Sequence, residues 1–300
     1  MPEETFAAAT IRWYEKNARD LPWRAPDVGA WAILVSEVML QQTPVVRVLP
    51  AWRAWLDRWP TPAALAADTS AEAIRMWGRL GYPRRALRLW ECAVAIVERH
   101  GGAVPTDLDA LLALPGVGTY TARAVAAFAF GQRHPVVDTN VRRVVARAVA
   151  GEPDAGPATR PADLVATAAL LPVEPAEAAK ASAAFMELGA LVCTAQAPRC
   201  IDCPLVERCA WRASGRTVPL GPTRRPQRYA GTDRQVRGLL LAVLRETTGP
   251  VARDRLDLVW ADATQRARAL ASLIDDGLVE RIDDRFALAG EMTGTATPQT

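Results

Sequence analysis

A glycine break between two helical patterns limits this chain more than any other feature. An apolar pattern from Asp107 to Leu114 runs into Pro115-Gly116-Val117-Gly118, and a second pattern runs from Tyr120 to Phe130. Proline and glycine stop a helix, and so close a restart predicts two helices joined by a tight hairpin. Gly116 and Gly118 carry no Cβ, so their backbone amides can approach a ligand closely. The free N–H groups that open the second helix favour an anion there, such as a backbone phosphate. An ordinary helix–helix turn explains the same four residues equally well. Just beyond, Asp138 follows Pro135-Val136-Val137 and precedes a helical pattern from Val141 to Ala150. Taken alone it reads first as an N-cap. A carboxylate in that place is also expected to be held ionised by the helix dipole and backbone N–H groups, which suits it to stabilise a cationic sugar.

The helical patterns dominate. Residues 5 to 17, Trp31 to Leu40, the short segments between 50 and 100, and the stretch from Asp163 to Leu191 are all predicted helical, with no alternating strand pattern between 50 and 100. Trp52, Trp55 and Trp59 are spaced for one buried helix face. Residues 151–162 and 216–232 read as a loop and a linker. After the linker, Arg234–Arg245, Arg253–Val259 and Thr264–Asp275 predict three helices, and residues 277–282 with 285–288 a β-hairpin. Three helices and a hairpin over 233–290 make a small winged-helix-like α+β module, which binds either DNA or protein. Residues 291–300 are expected to be a disordered tail.

Two features point to chemistry. The helix WAILVSEVML carries one charge, Glu37, whose i−4 and i−3 neighbours are Ile33 and Leu34. Burial raises a carboxyl pKa, and a glutamate titrating near neutrality is a general acid. Pairing with an arginine is the competing reading. Gln41-Gln42-Thr43 follows at the helix end, as base-reading side chains or as a plain turn. The second feature is Cys193-x6-Cys200-x2-Cys203-x5-Cys209. In a cytosolic chain this spacing means metal. Four thiolates suit zinc or a [4Fe–4S] cluster, and a single Cys-x2-Cys knuckle leans towards iron–sulfur. Cys92 stands apart and reads as a small buried hydrophobe.

Composition closes other routes. Only Lys16 and Lys180 are lysines among 36 basic residues, so almost no amine is available for a Schiff base, and His100 and His134 are too few for a histidine metal site. The net charge of +3 is weak evidence for an acidic partner. No apolar run spans a membrane and no signal-peptide core opens the chain, so a cytoplasmic protein without membrane contact is expected.

Three features taken together, LPGVGTYTA with VDTN behind it, SEVMLQQT, and the cysteine tail, resemble the helix-hairpin-helix DNA glycosylases that carry an iron–sulfur cluster. Within them the chain resembles the adenine DNA glycosylases of the MutY type over roughly residues 5–215. The resemblance implies a mainly α fold: a six-helix domain holding Glu37, and a [4Fe–4S] domain with Asp138 near the boundary. It implies hydrolysis of the glycosidic bond of adenine paired with 8-oxoguanine or guanine, in duplex DNA, by a monomer. Glu37 would protonate the flipped base, Asp138 would stabilise the oxocarbenium-like sugar or form a transient bond to it, and Tyr120 would support the aspartate side of the pocket. Leu21, Trp23 and Arg24 would line that pocket. Gln42 and Tyr82 would wedge at the opposite base and Thr43 would contact it, with Gln41 beside them. Cys193, Cys200, Cys203 and Cys209 would hold the cluster.

The endonuclease III type shares the hairpin, the aspartate and the cysteines, but has a lysine nucleophile where this chain has Tyr120. A mismatch-specific thymine or uracil glycosylase is the nearer rival, and a non-catalytic iron–sulfur DNA-binding or redox-sensing protein the alternative of another class. Two departures stand out. Pro83 replaces a second aromatic after Tyr82, and the 70 or so residues after the linker are too few for the long β-rich domain that typical members use to recognise 8-oxoguanine.

Overall fold

The computed structural model describes residues 4–156, 160–215 and 229–291. The tail 291–300 apart from Glu291, and most of the linker 216–232, therefore lie outside the described residues. The chain forms two compact bodies that do not follow chain order: residues 1–37, 106–113 and 117–223 make the first, and residues 38–105, 114–116 and 224–300 the second.

The first body is helical. Phe6–Asn17, Thr139–Ala148 and Pro175–Leu191 bury Ile11, Val141, Val145 and Phe185 in one core. Phe6 meets Phe185 edge to face with centroids 5.2 Å apart. Gly189 is needed for this packing, because a Cβ there would lie 2.7 Å from the Asn140 Cβ and backbone oxygen. The helical stretch expected from Asp163 to Leu191 comprises two helices, Pro161–Leu170 and Pro175–Leu191. Pro172 and Pro175 explain the break: each lacks the N–H that would continue the ladder, and Pro175 then opens the second helix at its first turn. The hairpin helices are Leu108–Leu112, capped by Asp107, and Thr119–Phe130, which starts at Gly118.

The second body contains Val45–Arg58, Pro62–Ala66, Ser70–Trp77 and Arg84–His100. Trp52, Trp55 and Trp59 are all buried, and Trp55 meets Trp59 and Trp77 edge to face. Gly116 belongs here. Its φ is +75°, and a Cβ would fall 2.8 Å from the Arg88 Cβ, so packing as well as turn geometry demands glycine.

The C-terminal module is packed into this second body. Its helices are Asp233–Arg245, Arg253–Asp257 and Ala263–Asp275. The predicted hairpin, Val279–Ile282 with Arg285–Leu288, gains a third strand, Val251–Ala252, which pairs with Arg285–Phe286 to give a three-stranded antiparallel sheet. Two residues are too few to show an alternation in sequence. The module is clamped to the Ser70–Trp77 helix. Arg75 Nη2 donates to both Glu291 oxygens at 2.7 Å, its Nη1 donates to the Leu244 and Arg245 carbonyls, and Arg245 Nε donates to the Ile74 carbonyl at 3.0 Å. Within the module Arg237, Arg266 and Arg268 pair with Asp276, Asp257 and Asp233.

Candidate active site

The reactive groups gather in the first body. Glu37 sits in the third turn of the Ala30–Leu40 helix and is only 5% exposed. Burial raises its pKa from 4.5 to about 7. A hydrogen bond from Tyr120 and the charge of Arg24 oppose the rise, and the neighbouring Asp138 adds to it. The Tyr120 hydroxyl is itself pushed well above 10, by burial first and by Glu37 and Asp138 after it, so it remains a donor.

Asp138 is the N-cap of Thr139–Ala148, as its position in the sequence suggests. Its Oδ1 accepts from the Val141 N–H at 2.8 Å and its Oδ2 from Asn140 Nδ2 at 2.7 Å. The cap does not hold the carboxyl below its ordinary value, however. Burial raises the pKa, and the Val141 and Asn140 hydrogen bonds and the Arg143 charge limit the rise. Two carboxyls therefore stand in one partly desolvated site with different partners: a tyrosine hydroxyl for Glu37, and a helix N-terminus and an amide for Asp138.

Four further residues complete the site, and sequence reasoning did not find them. Glu187, fully buried, accepts from Arg19 Nε at 2.7 Å, Arg19 Nη2 at 2.8 Å and Arg24 Nη2 at 2.9 Å. Burial alone would raise its pKa; the two arginines overrule it and bring it to about 2. A lone glutamate in AAFMELGA is the same signal that marks Glu37, so it was there to be read. Asn140 and Arg143 were not readable in this way. Arg143 Nη2 donates to Asn140 Oδ1 at 2.7 Å and its Nε to the Cys193 carbonyl at 2.6 Å. The chain Asp138–Asn140–Arg143 thus ends on the backbone of the first cysteine. The Arg24 Nη1 is buried without a protein acceptor among the described residues. Leu21, which caps the Pro22–Arg24 turn, and Trp23 within it are buried.

Cys193, Cys200, Cys203 and Cys209 line one cavity, walled by apolar groups such as Leu188, Leu205 and Trp211. Burial raises the Cys203 thiol to about 11, so thiolates here need positive charge beside them. Arg147 supplies some. It is 2% exposed, donates to Cys193 Sγ at 3.6 Å and to the Thr194 and Ala195 carbonyls, and lies over the Trp211 ring. Among the described residues no three cysteine, histidine or acidic side chains converge closely enough for a single ion. Four thiols around one apolar cavity, with Arg147 beside the first, are a donor set that fits a metal group.

The remaining predicted residues lie mostly in the second body. Gln42 and Tyr82 are exposed and both have left-handed backbones, with φ of 54° and 49°. Gln41 is half-buried. Thr43 is 7% exposed, and its hydroxyl donates to the Gln41 carbonyl at 3.2 Å and accepts from Arg85 Nη2 at 3.1 Å. Gly118, in the first body, is exposed with open space where a Cβ would be.

Residues 35–165 match the HhH-GPD superfamily of base excision DNA repair proteins. The adenine DNA glycosylase of Mycolicibacterium smegmatis is 61% identical over 284 residues, covering 94% of this chain and 95% of that protein. The adenine DNA glycosylase of Homo sapiens is 42% identical over 215 residues, covering 69% of this chain but 39% of that protein. A solved thermostable thymine-DNA glycosylase superposes over 70% of this chain with a TM-score of 0.63 and 25% identity. With Glu37 buried and Tyr120 and Asp138 half-buried in a helix-hairpin-helix fold, and a mycobacterial relative matching nearly end to end, this chain belongs to the adenine DNA glycosylase family of base excision repair enzymes.

Proposed function

We propose that this protein is a monofunctional DNA N-glycosylase that hydrolyses the bond between adenine and deoxyribose where adenine is paired with 8-oxoguanine or guanine in duplex DNA. The observation that carries the chemistry is Glu37: a carboxyl buried against Tyr120, poised at about 7, beside a second carboxyl held by a helix cap. Glu37 gives its proton to a ring nitrogen of the flipped adenine. The electron pair of the C1′–N9 bond leaves with the base. Asp138, ionised, stabilises the cationic sugar from its capped position. Water then adds its oxygen to C1′, and its proton returns to Glu37. This division follows from two carboxyls in unlike environments. No lysine lies between Lys16 and Lys180, which leaves the site without an amine for strand cleavage.

Leu21, Trp23 and Arg24 enclose the base, joined by Arg19 through Glu187. Gln42 and Tyr82, with Gln41 and Thr43 behind them, meet the opposite base. Gly116 and Gly118 hold the DNA backbone. Cys193, Cys200, Cys203 and Cys209 hold a [4Fe–4S] cluster, which when bound supplies a fixed centre that shapes the loop around it. Residues 1–215 form the catalytic region and 233–290 the appended module, joined by 216–232. The protein acts as a monomer in the cytoplasm; among the described residues no helix is long and apolar enough to cross a membrane.

The test is single-turnover base release from duplexes with adenine opposite 8-oxoguanine, guanine or cytosine, and with thymine opposite guanine. Adenine release opposite 8-oxoguanine, abolished in Glu37→Gln and Asp138→Asn, is expected. Thymine release instead would assign the same residues to the mismatch branch, and no release of either base would leave a DNA-binding protein.

A further inference from the structure

Arg85 stands in the first turn of the Arg84–His100 helix, half-buried. Two other arginines shielded from solvent meet carboxylates, Arg142 with Asp163 and Arg75 with Glu291, whereas Arg147 donates to backbone carbonyls and a thiol. Arg85 has no carboxylate at ion-pair distance among the described residues. It donates to backbone instead. Its Nη1 reaches the Val38, Met39 and Gln41 carbonyls at 2.9, 3.2 and 2.6 Å. Its Nη2 reaches the Gly81 carbonyl at 3.1 Å and the Thr43 hydroxyl at 3.1 Å. The guanidinium carbon lies 5.4 Å from the Trp77 ring centroid and 5.2 Å from that of Tyr82.

The two segments joined in this way share an unusual backbone. Gln42 and Tyr82 both have positive φ, and among the described non-glycine residues only Asp283 joins them. A left-handed conformation is unfavourable for side chains of this size and persists only where the surroundings over-determine it. One branch of the guanidinium fixes the carbonyls that end the Ala30–Leu40 helix and begin the Gln42 turn. The other branch fixes the carbonyl immediately before Tyr82, and the cation covers the Tyr82 ring.

We propose that Arg85 is a positioning residue for opposite-base specificity: it ties the Gln42 and Tyr82 turns into one rigid platform before DNA binds. This rests on the assignment of Gln42 and Tyr82 to the opposite base. A platform ordered in advance avoids the ordering cost that two loose turns would incur on binding. Five contacts from two nitrogens need the planar fork of arginine; a lysine carries the same charge but only one nitrogen. A role in general attraction to DNA, or as a simple helix cap, would therefore survive Arg85→Lys, and the platform would not.

The experiment uses the full chain as wild type, Arg85→Lys, Arg85→Gln and Tyr82→Ala. Hydrogen exchange without DNA is followed over residues 38–43 and 78–83, and single-turnover adenine release is measured opposite 8-oxoguanine and guanine across pH. Arg85→Lys and Arg85→Gln should speed exchange in both segments together. They should also cut the preference for 8-oxoguanine over guanine by roughly tenfold, within the range that an ångström of misplacement can cost. The pH profile should stay in place, since Glu37 is untouched. Unchanged exchange, or an unchanged preference in either variant, would overturn the proposal. A wild-type preference in Tyr82→Ala would overturn the opposite-base assignment and the specificity role with it. Coupled exchange in the Arg85 variants would then still report the lock itself.

Discussion

Removing the charge of Glu37 should make the protein inactive and, above neutral pH, more stable. Burial lifts this carboxyl from 4.5 to about 7. The folded state therefore prefers the protonated form. Below pH 4.5 both states carry the proton and the group has no effect of its own on stability. Between pH 4.5 and about 7 the unfolded chain ionises while the folded chain resists, and stability falls with each pH unit by 1.36 kcal/mol. Above about 7 the loss levels off near ~3 kcal/mol. Glutamine has the same shape, still accepts from Tyr120 and never ionises. Any fixed cost of burying its amide is the same at every pH, so only the difference between the two proteins as pH changes is diagnostic. The Tm of Glu37→Gln minus that of the parent should be flat below pH 4.5, climb through the window and reach a plateau. The climb should total roughly 6–12 °C for a catalytic region of about this size. Thermal unfolding of both proteins from pH 4 to pH 9 measures it, alongside base release, which in the parent should fall as pH rises through about 7. A Tm difference that does not change with pH would mean that Glu37 titrates normally, and the general-acid reasoning would fail.

Other outcomes follow from the same geometry. Glu187→Gln leaves Arg19 and Arg24 without their counter-charge and should destabilise the protein by ~3–5 kcal/mol in denaturant titrations. Because the Glu187 pKa is depressed to about 2, that difference should be full above pH 4.5 and shrink as pH falls towards 2. Gly189→Ala forces a Cβ to within 2.7 Å of Asn140 and should cost about 1–3 kcal/mol while also slowing base release, since Asn140 holds Asp138. Glu291→Gln should release the C-terminal module to limited proteolysis between residues 216 and 232, read by mass spectrometry. The same variant should leave the salt dependence of DNA binding nearly unchanged, because Arg237, Arg266 and Arg268 already meet the module's own carboxylates.

The module bears on a departure visible in the sequence. The human relative matches 69% of this chain, and the mycobacterial one 94%. The mycobacterial match is long enough to take in at least part of the C-terminal module. The module's fixed contacts to the Ser70–Trp77 helix make it a brace on the body that contains Gln42 and Tyr82, and this is the body for which opposite-base recognition is proposed.

Local features fixed what the sequence alone determined. Glycines and prolines at Pro115–Gly118 placed the hairpin, because they act on the backbone at their own positions. An acidic residue in an apolar helix singled out Glu37, and four cysteines at short spacing singled out the candidate metal segment, because both patterns lie within one short stretch of chain. Short-range alternation gave the Val279–Leu288 hairpin. Tertiary structure decided the rest. Asp138 departs from the pKa a helix cap would give it because burial is a property of the packed core. Glu187 meets Arg19 across 168 positions, and no local pattern encodes that pairing. Gly116 reads as a glycine kept for ligand approach, yet its Cβ is excluded by Arg88 on a distant helix. Arg85 is silent in the sequence, one arginine among many; it becomes a joint between two turns only when the fold brings residues 38–43 and 81–82 to its two nitrogens.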